Sequence, residues 1–197
     1  MGFPDYSAQE EIIRKIGDAE LLYKAGKKIL RFKKKIYGIE IMKDDYTLLT
    51  PYFNGDVLNI GLGMGNSIQT ILSCASVDSV LCYEIEQDII DIYIAEYGDN
   101  DKLTIICADA METKPDGIFD VILYELPLET EQLFNGANDY IVWGQSHLKD
   151  GGYIILPDNV YTRRLILTYA QTFNINYLSR LRGRVNEQKW IVMIKNE

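Results

Sequence analysis

Short apolar segments alternate with longer amphipathic segments from about residue 57 to the end of the chain. Residues 57–60 form an apolar run, glycines follow at alternate positions, and apolar side chains then recur at helical spacing. This succession predicts a buried strand, a tight turn and a helix, which together begin a βαβ unit. Asn66 or Ser67 is placed to cap that helix.

The same alternation continues downstream and predicts the fold class. Further strands are predicted at 79–84, 103–107, 119–124 and 153–156, and helices at 86–97, 129–148 and about 160–172. Two last strands, at about 175–181 and 189–194, have a connection short enough for an antiparallel pair. Near-continuous apolar strands indicate a parallel sheet that is covered on both faces. We therefore predict an α/β protein with a doubly wound, seven-stranded, mostly parallel sheet, helices on both faces and a C-terminal antiparallel hairpin.

The first 53 residues have a different pattern, which we interpret as mainly helical, although residues 37–42 also fit a short strand. The apolar positions at helical spacing are Ile12, Ile13, Ile16, Ala19, Leu22, Tyr23, Ile29 and Leu30. Gly17 and Gly26 would divide this segment into two or three short helices. We thus predict an N-terminal helical extension, residues 1–53, that covers the substrate side of an α/β domain formed by residues 54–197.

Composition restricts the classes of function. The chain has 197 residues, with 20 Lys and Arg against 29 Asp and Glu, and a net charge of −9. Because affinity for nucleic acid depends largely on Lys and Arg side chains that neutralise its phosphates, we expect no nucleic-acid partner for this acidic chain. A basic group in the N-terminal segment leaves two interpretations open, a solvated face and a rim that attracts an anionic substrate or partner. Its members are Lys24, Lys27, Lys28, Arg31, Lys33, Lys34 and Lys35.

Three cysteines, Cys74, Cys82 and Cys107, have no metal-ligand spacing, and their number is odd. We therefore expect buried, reduced thiols, which favours a cytoplasmic location. The N-terminus lacks the basic start and the apolar run of a signal peptide. No apolar run approaches the roughly 20 residues of a membrane span, so we also expect no membrane partner.

Candidate ligand-binding residues stand at the predicted carboxyl ends of four strands. They are Gly61, Gly63, Gly65 and Asn66, then Glu84 with Ile85, Asp109 with Ala110, and Glu125. Glycines let a ligand approach the backbone, and a carboxylate can accept hydrogen bonds from hydroxyl or amino groups. Because such sheets bind ligands at the carboxyl ends of their strands, these residues are candidates for one site.

In this order, these residues resemble those of the class I S-adenosylmethionine-dependent methyltransferases, over about residues 56–195. The resemblance implies that the glycine loop lies against the amino-acid end of the cofactor. It implies that Glu84 binds the ribose hydroxyls and that Asp109 binds the adenine amino group. Asn66, Ile85 and Ala110 join them as cofactor-binding residues. A nicotinamide enzyme of the same fold would have its third glycine one position later, where this chain has Asn66.

Two branches of this family share further features with the chain. Residues 57–125 resemble the spermidine synthase-like aminopropyltransferases, which use decarboxylated S-adenosylmethionine, but their acid–proline pair after the fourth strand is absent here. Asp158 and Asn159 resemble a pair in the cation-dependent O-methyltransferases that binds a divalent ion together with an acid placed like Glu125. Alternatively, Asp158 and Asn159 cap the next helix, and on this interpretation we expect no metal.

The resemblance implies methyl transfer from S-adenosylmethionine to a small-molecule acceptor by in-line displacement. The protein would mainly align the reactants, and Glu125 is the candidate catalytic base. Two alternatives stay open: an aminopropyltransferase, and a non-catalytic module that binds the cofactor or a partner. The sequence is also compatible with a homo-oligomer. His147, the only histidine, lies near the end of a predicted helix, where we expect a structural role.

Overall fold

The structure, a computed structural model, describes residues 10–39, 43–126, 131–158, 160–182 and 185–196. Its strands are β1 (Glu11–Ile16), β2 (Ala19–Lys24), β3 (Lys27–Phe32), β4 (Lys35–Ile39), β5 (Gly55–Ile60), β6 (Val77–Glu84), β7 (Leu103–Cys107), β8 (Phe119–Tyr124), β9 (Leu148–Pro157), β10 (Phe173–Arg182) and β11 (Val185–Lys195). Its α-helices are α1 (Lys43–Tyr46), α2 (Asn66–Leu72), α3 (Gln87–Tyr97), α4 (Glu131–His147) and α5 (Val160–Tyr169). A 3₁₀ helix, Thr47–Tyr52, directly follows α1.

Seven strands form the central sheet, in the order β10-β11-β9-β8-β5-β6-β7. β5 pairs in parallel with β6 on one side and with β8 on the other, and β7 and β9 extend the parallel pairing outward. β11 pairs antiparallel with both β9 and β10. This confirms the predicted mostly parallel sheet and its C-terminal antiparallel hairpin. Because the chain leaves β5 toward β6 and later crosses back to β8, the carboxyl ends of β5 and β8 open a crevice.

Helices cover both faces of this sheet, as predicted. One core cluster joins the sheet to α2 and α3 through side chains such as Ile68 and Ile89, and the other joins its opposite face to α4 through Tyr140. Val57 and Leu58 are neighbours in β5 but pack in different clusters, which explains why the strands are continuously apolar. None of the described helices has both the length and the apolar character needed to cross a membrane.

The helical extension predicted before the α/β domain is wrong over most of its described length. β1 to β4 form a separate four-stranded antiparallel sheet in chain order, and two-residue turns join neighbouring strands. Gly17, Gly26, Lys33 and Lys34 lie in these turns with φ values between 47° and 78°, the backbone geometry of tight hairpins. Gly17 and Gly26 are thus turn residues and not breaks between helices. In the described part of this segment, helical structure is limited to α1 and the 3₁₀ helix.

The N-terminal sheet packs on the same side of the central sheet as α3. Its buried side chains are Ala19, Leu21, Leu22, Leu30 and Phe32. Four of these belong to the core cluster that contains Ile89 of α3. The backbone N–H of Asp18 donates to Asp88 Oδ2 (2.8 Å), and Lys28 forms an ion pair with Glu96. The two sheets therefore share one hydrophobic core, with polar contacts at its edge.

The three cysteines are free thiols in different environments. Cys82 is buried within β6, and Cys74 is partly buried just after α2. Cys107, the last residue of β7, is exposed. The expectation of buried thiols is therefore wrong for Cys107, because it ends β7, an edge strand of the central sheet that has no neighbouring strand on its outer side.

Candidate functional site

A cavity of about 620 Å³ lies at the carboxyl ends of β5, β6, β7 and β8. Eight of the nine predicted site residues line it: Gly61, Gly63, Asn66, Glu84, Ile85, Asp109, Ala110 and Glu125. Gly65, the ninth, lies at the N-terminus of α2 and does not line the cavity. The volume falls within the range of about 300–1,000 Å³ that is usual for ligand pockets. The fold therefore brings the predicted strand-end residues together around a space of ligand size.

The loop after β5 requires glycine for two different reasons. Gly61 has a φ of +96°, and a Cβ there would lie 3.3 Å from Leu126 Cδ2. Gly65 has a φ of +77°, and a Cβ there would overlap the ring of Tyr93 in α3. Because L side chains disfavour positive φ, both positions favour glycine on backbone grounds as well. Gly61 and Gly63 thus form a wall of the cavity, whereas Gly65 lets α2 pack against α3.

Neither Asn66 nor Ser67 caps α2, contrary to the prediction. Gly65 occupies the N-cap position in a left-handed conformation, and it makes no side-chain cap. Asn66 Nδ2 donates instead to the carbonyl of Ile39 (3.3 Å), and the Ser67 hydroxyl donates to Glu125. Both side chains therefore connect the start of α2 to other elements that border the cavity.

Glu84 ends β6 and turns its carboxylate toward the glycine loop. Its Oε2 accepts the backbone N–H groups of Leu62 (3.1 Å) and Gly63 (3.4 Å), and its Oε1 accepts that of Glu86 (3.1 Å). The side chain is only 6% exposed, yet it lines the cavity. The carboxylate thus fixes the shape of the loop. Because Oε1 accepts only one of these bonds, it retains a lone pair for a hydroxyl group of a ligand.

The loop after β7 closes the cavity beside Glu84. Asp109 Oδ1 accepts the backbone N–H of Met111 (2.8 Å), and the Ala110 carbonyl accepts a hydrogen bond from the Tyr140 hydroxyl of α4 (2.7 Å). The first hydrogen bond stabilises the turn within the loop, and the second joins the loop to the buried Tyr140. Ile85, which is 54% exposed, adds an apolar surface at the rim.

Glu125 follows β8 directly and is held by three neutral hydrogen-bond donors. The Ser67 hydroxyl and Asn59 Nδ2 (3.1 Å) donate to Oε2, and the Tyr46 hydroxyl is the third donor. Burial raises the pKa of Glu125 to about 7, with a further contribution from the charge of Glu84, although the three hydrogen bonds act in the opposite direction. A carboxyl group with a pKa near neutrality is suited to accept a proton from a bound ligand.

Asn59, Tyr46 and Tyr37 belong to this site or support it but were not predicted from the sequence. Asn59 gives a signal, since it interrupts an apolar strand and a buried amide needs hydrogen-bond partners. Its Nδ2 also donates to the carbonyl of Gly61, whereas its Oδ1 is buried without a partner among the described atoms. Tyr46 and Tyr37 give no such signal, because long-range packing of the N-terminal segment alone brings them to the cavity.

The N-terminal sheet supplies one wall of the cavity. Ile36, Tyr37 and Gly38 of β4 line it. A Cβ on Gly38 would lie 3.1 Å from Met64 Cβ, so β4 packs directly on the glycine loop. The segment before the α/β domain therefore reaches the site as an edge strand.

The cavity lining is acidic. Glu84, Asp109 and Glu125 line it, and no Lys, Arg or His does so in the part of the chain that the structure describes. Like charges at short range repel an anionic ligand by several kcal/mol in a partly desolvated site. The cavity is therefore better suited to neutral or cationic groups, unless backbone N–H groups bind the anion.

Glu125 and Asp158, two of the three residues considered for a divalent cation, do not lie at a common site, since only Glu125 lines the cavity. The carboxylate of Asp158 binds Arg163 with two hydrogen bonds (2.7 and 2.8 Å) and does not line the cavity; Asn159 lies outside the described residues. Within the described ranges, no group of three His, Cys, Asp or Glu side chains could hold a metal ion.

His147 stacks on the ring of Trp143 at the end of α4, with centroids 4.3 Å apart, which agrees with a structural role.

The chain matches no protein-family model and no curated protein, but its fold is similar to that of many solved structures. N-methyltransferase NodS from Bradyrhizobium japonicum WM9, in complex with S-adenosyl-L-homocysteine, has a TM-score of 0.60 at 13% identity, over 80% of this chain and 88% of that chain. A methyltransferase from Pyrococcus furiosus has a TM-score of 0.58 at 17% identity, over 78% and 82%. Spermidine synthase from Thermotoga maritima has a TM-score of 0.64 at 19% identity, over 90% and 69%.

At these identities the likeness is one of fold, and at that level it confirms the predicted resemblance to class I methyltransferases and to the spermidine synthase branch. Residues 55–197 are 143 of the 197 residues. A match over 90% of the chain, as with the spermidine synthase, must therefore include more than half of the segment before β5. The likeness to that enzyme thus extends beyond the central sheet.

Proposed function

We propose that this protein transfers the methyl group of S-adenosylmethionine to a small-molecule acceptor. The observation that carries the proposal is the cavity of about 620 Å³ at the carboxyl ends of β5, β6, β7 and β8, with a glycine loop at one strand end and an acid at each of the next three. Class I methyltransferases bind their cofactor at this place in the sheet. The donor set fits the cofactor, since carboxylates can accept from its ribose and adenine donors.

Each side chain of the site has a proposed role toward this cofactor. Glu84 Oε1 accepts from a ribose hydroxyl, Asp109 and the Ala110 backbone border the adenine, and Ile85 packs on the rim. Gly61, Gly63 and Asn66 border the amino-acid end, where bare backbone leaves room for a carboxylate. When bound, the cofactor supplies a methyl group made electrophilic by its sulfonium.

Glu125 is the proposed base for an acceptor that carries a proton on its nucleophilic atom. Its three neutral donors fix the orientation of the carboxylate, and a pKa of about 7 lets it accept a proton at physiological pH. β4 and the loop after β7 border the same cavity, so they restrict water and align the acceptor.

Isothermal titration calorimetry with the native protein tests the cofactor. S-adenosylmethionine or S-adenosylhomocysteine should bind, and NAD should bind much more weakly, because the third glycine of a dinucleotide fingerprint is absent. The reverse preference would end the proposal. Methyl transfer to a panel of amines and alcohols, measured as release of S-adenosylhomocysteine, then tests turnover.

A second candidate is aminopropyl transfer from decarboxylated S-adenosylmethionine. Two observations favour it: the likeness to spermidine synthase includes part of the N-terminal segment, and the cavity lining has three acids and no cation among the described residues. A cofactor without a carboxylate would avoid repulsion by these acids. One feature counts against it. That branch has an acid–proline pair shortly after its fourth strand, whereas in this chain Leu126 precedes the proline.

Competition between the two cofactors separates these candidates. A methyltransferase should bind S-adenosylmethionine at least as tightly as its decarboxylated form and should release S-adenosylhomocysteine. An aminopropyltransferase should prefer the decarboxylated form and release 5′-methylthioadenosine. Binding of either cofactor without any product in a broad metabolite extract would favour the non-catalytic module.

A further inference from the structure

Tyr37 is the extra residue of a β-bulge in the strand that borders the cavity. β3 and β4 pair Leu30 with Gly38 and Arg31 with Ile36, so Tyr37 has no partner across the ladder. β4 is an edge strand of the N-terminal sheet. Bulges at such edges redirect a side chain and are frequent beside functional sites. Here the redirected side chain is a tyrosine that lines the cavity.

Large apolar side chains are exposed at the mouth of this cavity. Ile36 is 62% exposed, Tyr37 is 46% exposed, and Ile85, directly after β6, is 54% exposed. All three line the cavity, although two come from β4 and the third follows β6 of the central sheet. Exposed apolar side chains that surround one opening indicate a ligand with an apolar surface.

The tyrosine is positioned by its neighbours. The rings of Phe32 and Tyr37 meet edge to face, with centroids 5.7 Å apart, which orients the Tyr37 ring from the side of the sheet. Gly38, the next residue, packs closely on Met64 of the glycine loop. Burial raises the pKa of Tyr37, and the charges of Glu84 and then Glu86 raise it further. The phenol thus lies near the carboxyl end of β6, the part of the cavity assigned to the ribose.

We propose that the Tyr37 ring is a further binding element for the adenosyl half of the cofactor, supplied by the bulge in β4 at the mouth of the cavity. This inference rests on the proposed function. It gives the N-terminal sheet a role in ligand binding. Aromatic rings bind the faces of nucleobases with little dependence on hydrogen bonds.

Three variants separate the ring from its hydroxyl and from the sheet as a whole. Tyr37→Ala removes the ring, and Tyr37→Phe keeps it but removes the hydroxyl. Tyr23→Ala is the matched control, because Tyr23 lies in β2 of the same sheet, is 42% exposed and does not line the cavity. Calorimetry measures the dissociation constants of S-adenosylhomocysteine and of adenosine for each variant.

Loss of a stacking contact of about 1–3 kcal/mol corresponds to roughly 5- to 150-fold weaker binding. We expect Tyr37→Ala to weaken both ligands by about tenfold or more and by the same factor, because both contain the adenosyl half. Tyr37→Phe and Tyr23→Ala should stay within about threefold of the native protein. Since Tyr37 is half exposed, the variants should fold, and circular dichroism checks this.

Other outcomes contradict the inference in different ways. If the native protein binds neither ligand, the proposed function fails and this inference fails with it. If the native protein binds both and Tyr37→Ala binds equally well, only the inference fails. An effect on S-adenosylhomocysteine without one on adenosine would overturn the assignment to the adenosyl half. If Tyr37→Phe bound the ligands as weakly as Tyr37→Ala, the assignment of the contact to the ring would be wrong.

Discussion

Glu84 has two kinds of partner, because the carboxylate that faces the cavity also binds the glycine loop. Its bonds to the N–H groups of Leu62 and Gly63 are internal to the protein, whereas a ribose would bind at the remaining lone pair. A substitution there therefore affects ligand binding and stability together. These two effects must be measured separately.

For Glu84→Ala, we expect S-adenosylhomocysteine to bind at least about tenfold more weakly, since hydrogen bonds to a charged group contribute roughly 1.5–3 kcal/mol each. The unfolding free energy should also fall by about 1–3 kcal/mol, because buried N–H groups lose their acceptor. Calorimetry and urea unfolding measure the two quantities. Glu112→Ala, an exposed acid outside the cavity, is the control. An unchanged dissociation constant would show that the ribose is held elsewhere.

Replacing Glu125 by Gln keeps the shape of the side chain and removes its charge. If Glu125 is the base, turnover should fall by roughly 10²–10⁴ while cofactor affinity stays within a few fold of the native value. Steady-state kinetics with the identified acceptor, together with calorimetry, measures both. Normal turnover by the Gln variant would exclude Glu125 as the base, and Glu112→Gln controls for the general loss of a negative charge.

The pKa of Glu125 also predicts how stability changes with pH. Burial raises it from the ordinary value of 4.5 to about 7, so between these values the folded protein binds more protons than the unfolded chain. Stability should therefore fall as pH rises from about 4.5 to about 7, and the loss should be complete above that range. The Glu125→Gln variant lacks this contribution. Between pH 5 and pH 8, the unfolding free energy of the native protein, measured with urea, should therefore fall by up to about 3 kcal/mol more than that of the variant. If the unfolding free energies of the two proteins changed with pH in the same way, the raised pKa of Glu125 would be contradicted.

The environment of Glu125 shows which part of the site a sequence can predict. Its position at the end of a strand follows from local pattern, because an apolar run ends there. Its partners do not, since Tyr46 comes from a short helix and Ser67 was assigned a capping role that Gly65 fills with its backbone. Hydrogen bonds between elements depend on packing distances that no local spacing contains.

At the level of secondary structure, the main difference between prediction and structure is in the N-terminal segment, where strands replace the predicted helices. Apolar doublets such as Ile12-Ile13, Leu21-Leu22 and Ile29-Leu30 satisfy helical spacing and also contain the alternate positions of a strand. The turns decide between these interpretations. Lys33 and Lys34 form one of them with positive φ, and lysine is not a residue that indicates such a turn.

The packing of α2 on α3 makes a sharp prediction about Gly65. Gly65→Ala should lower the unfolding free energy by about 2–5 kcal/mol, which combines a left-handed backbone cost of about 1–2 kcal/mol with overlap against Tyr93. Gly151→Ala is the matched control, because its φ is +72° but nothing lies within 4 Å of its Cβ position. It should lose only the backbone part. Equal losses in urea unfolding would show that contact with Tyr93 is unimportant.

Across the whole molecule, the central sheet was predictable because its strands are continuously apolar and its helices cover both faces. The docking of the N-terminal sheet was not, because it depends on contacts such as Gly38 with Met64. This docking also bears on the basic residues of that segment. Lys24, Arg31 and Lys33 form ion pairs with Glu10, Glu20 or Glu86, which favours the solvated-face interpretation over a rim for anionic partners.

Activity is also expected to be independent of divalent cations. The Asp158 carboxylate is bound to Arg163 on both oxygens, and a cation would have to displace that guanidinium. Excess EDTA should therefore leave turnover unchanged, and subsequent Mg²⁺ should add nothing. Loss of activity with EDTA and its restoration by Mg²⁺ would instead support the cation-dependent O-methyltransferase interpretation.

The unequal exposure of the three thiols makes one of them a natural attachment point for a fluorescent label. Cys107 is exposed and directly precedes Ala108, which lines the cavity. Cys82 is buried, which raises its pKa and disfavours the reactive thiolate, and Cys74 is only partly exposed. A maleimide dye should therefore attach mainly at Cys107 in the unaltered sequence. Its emission would then report occupancy of the cavity in real time, even before an acceptor is known.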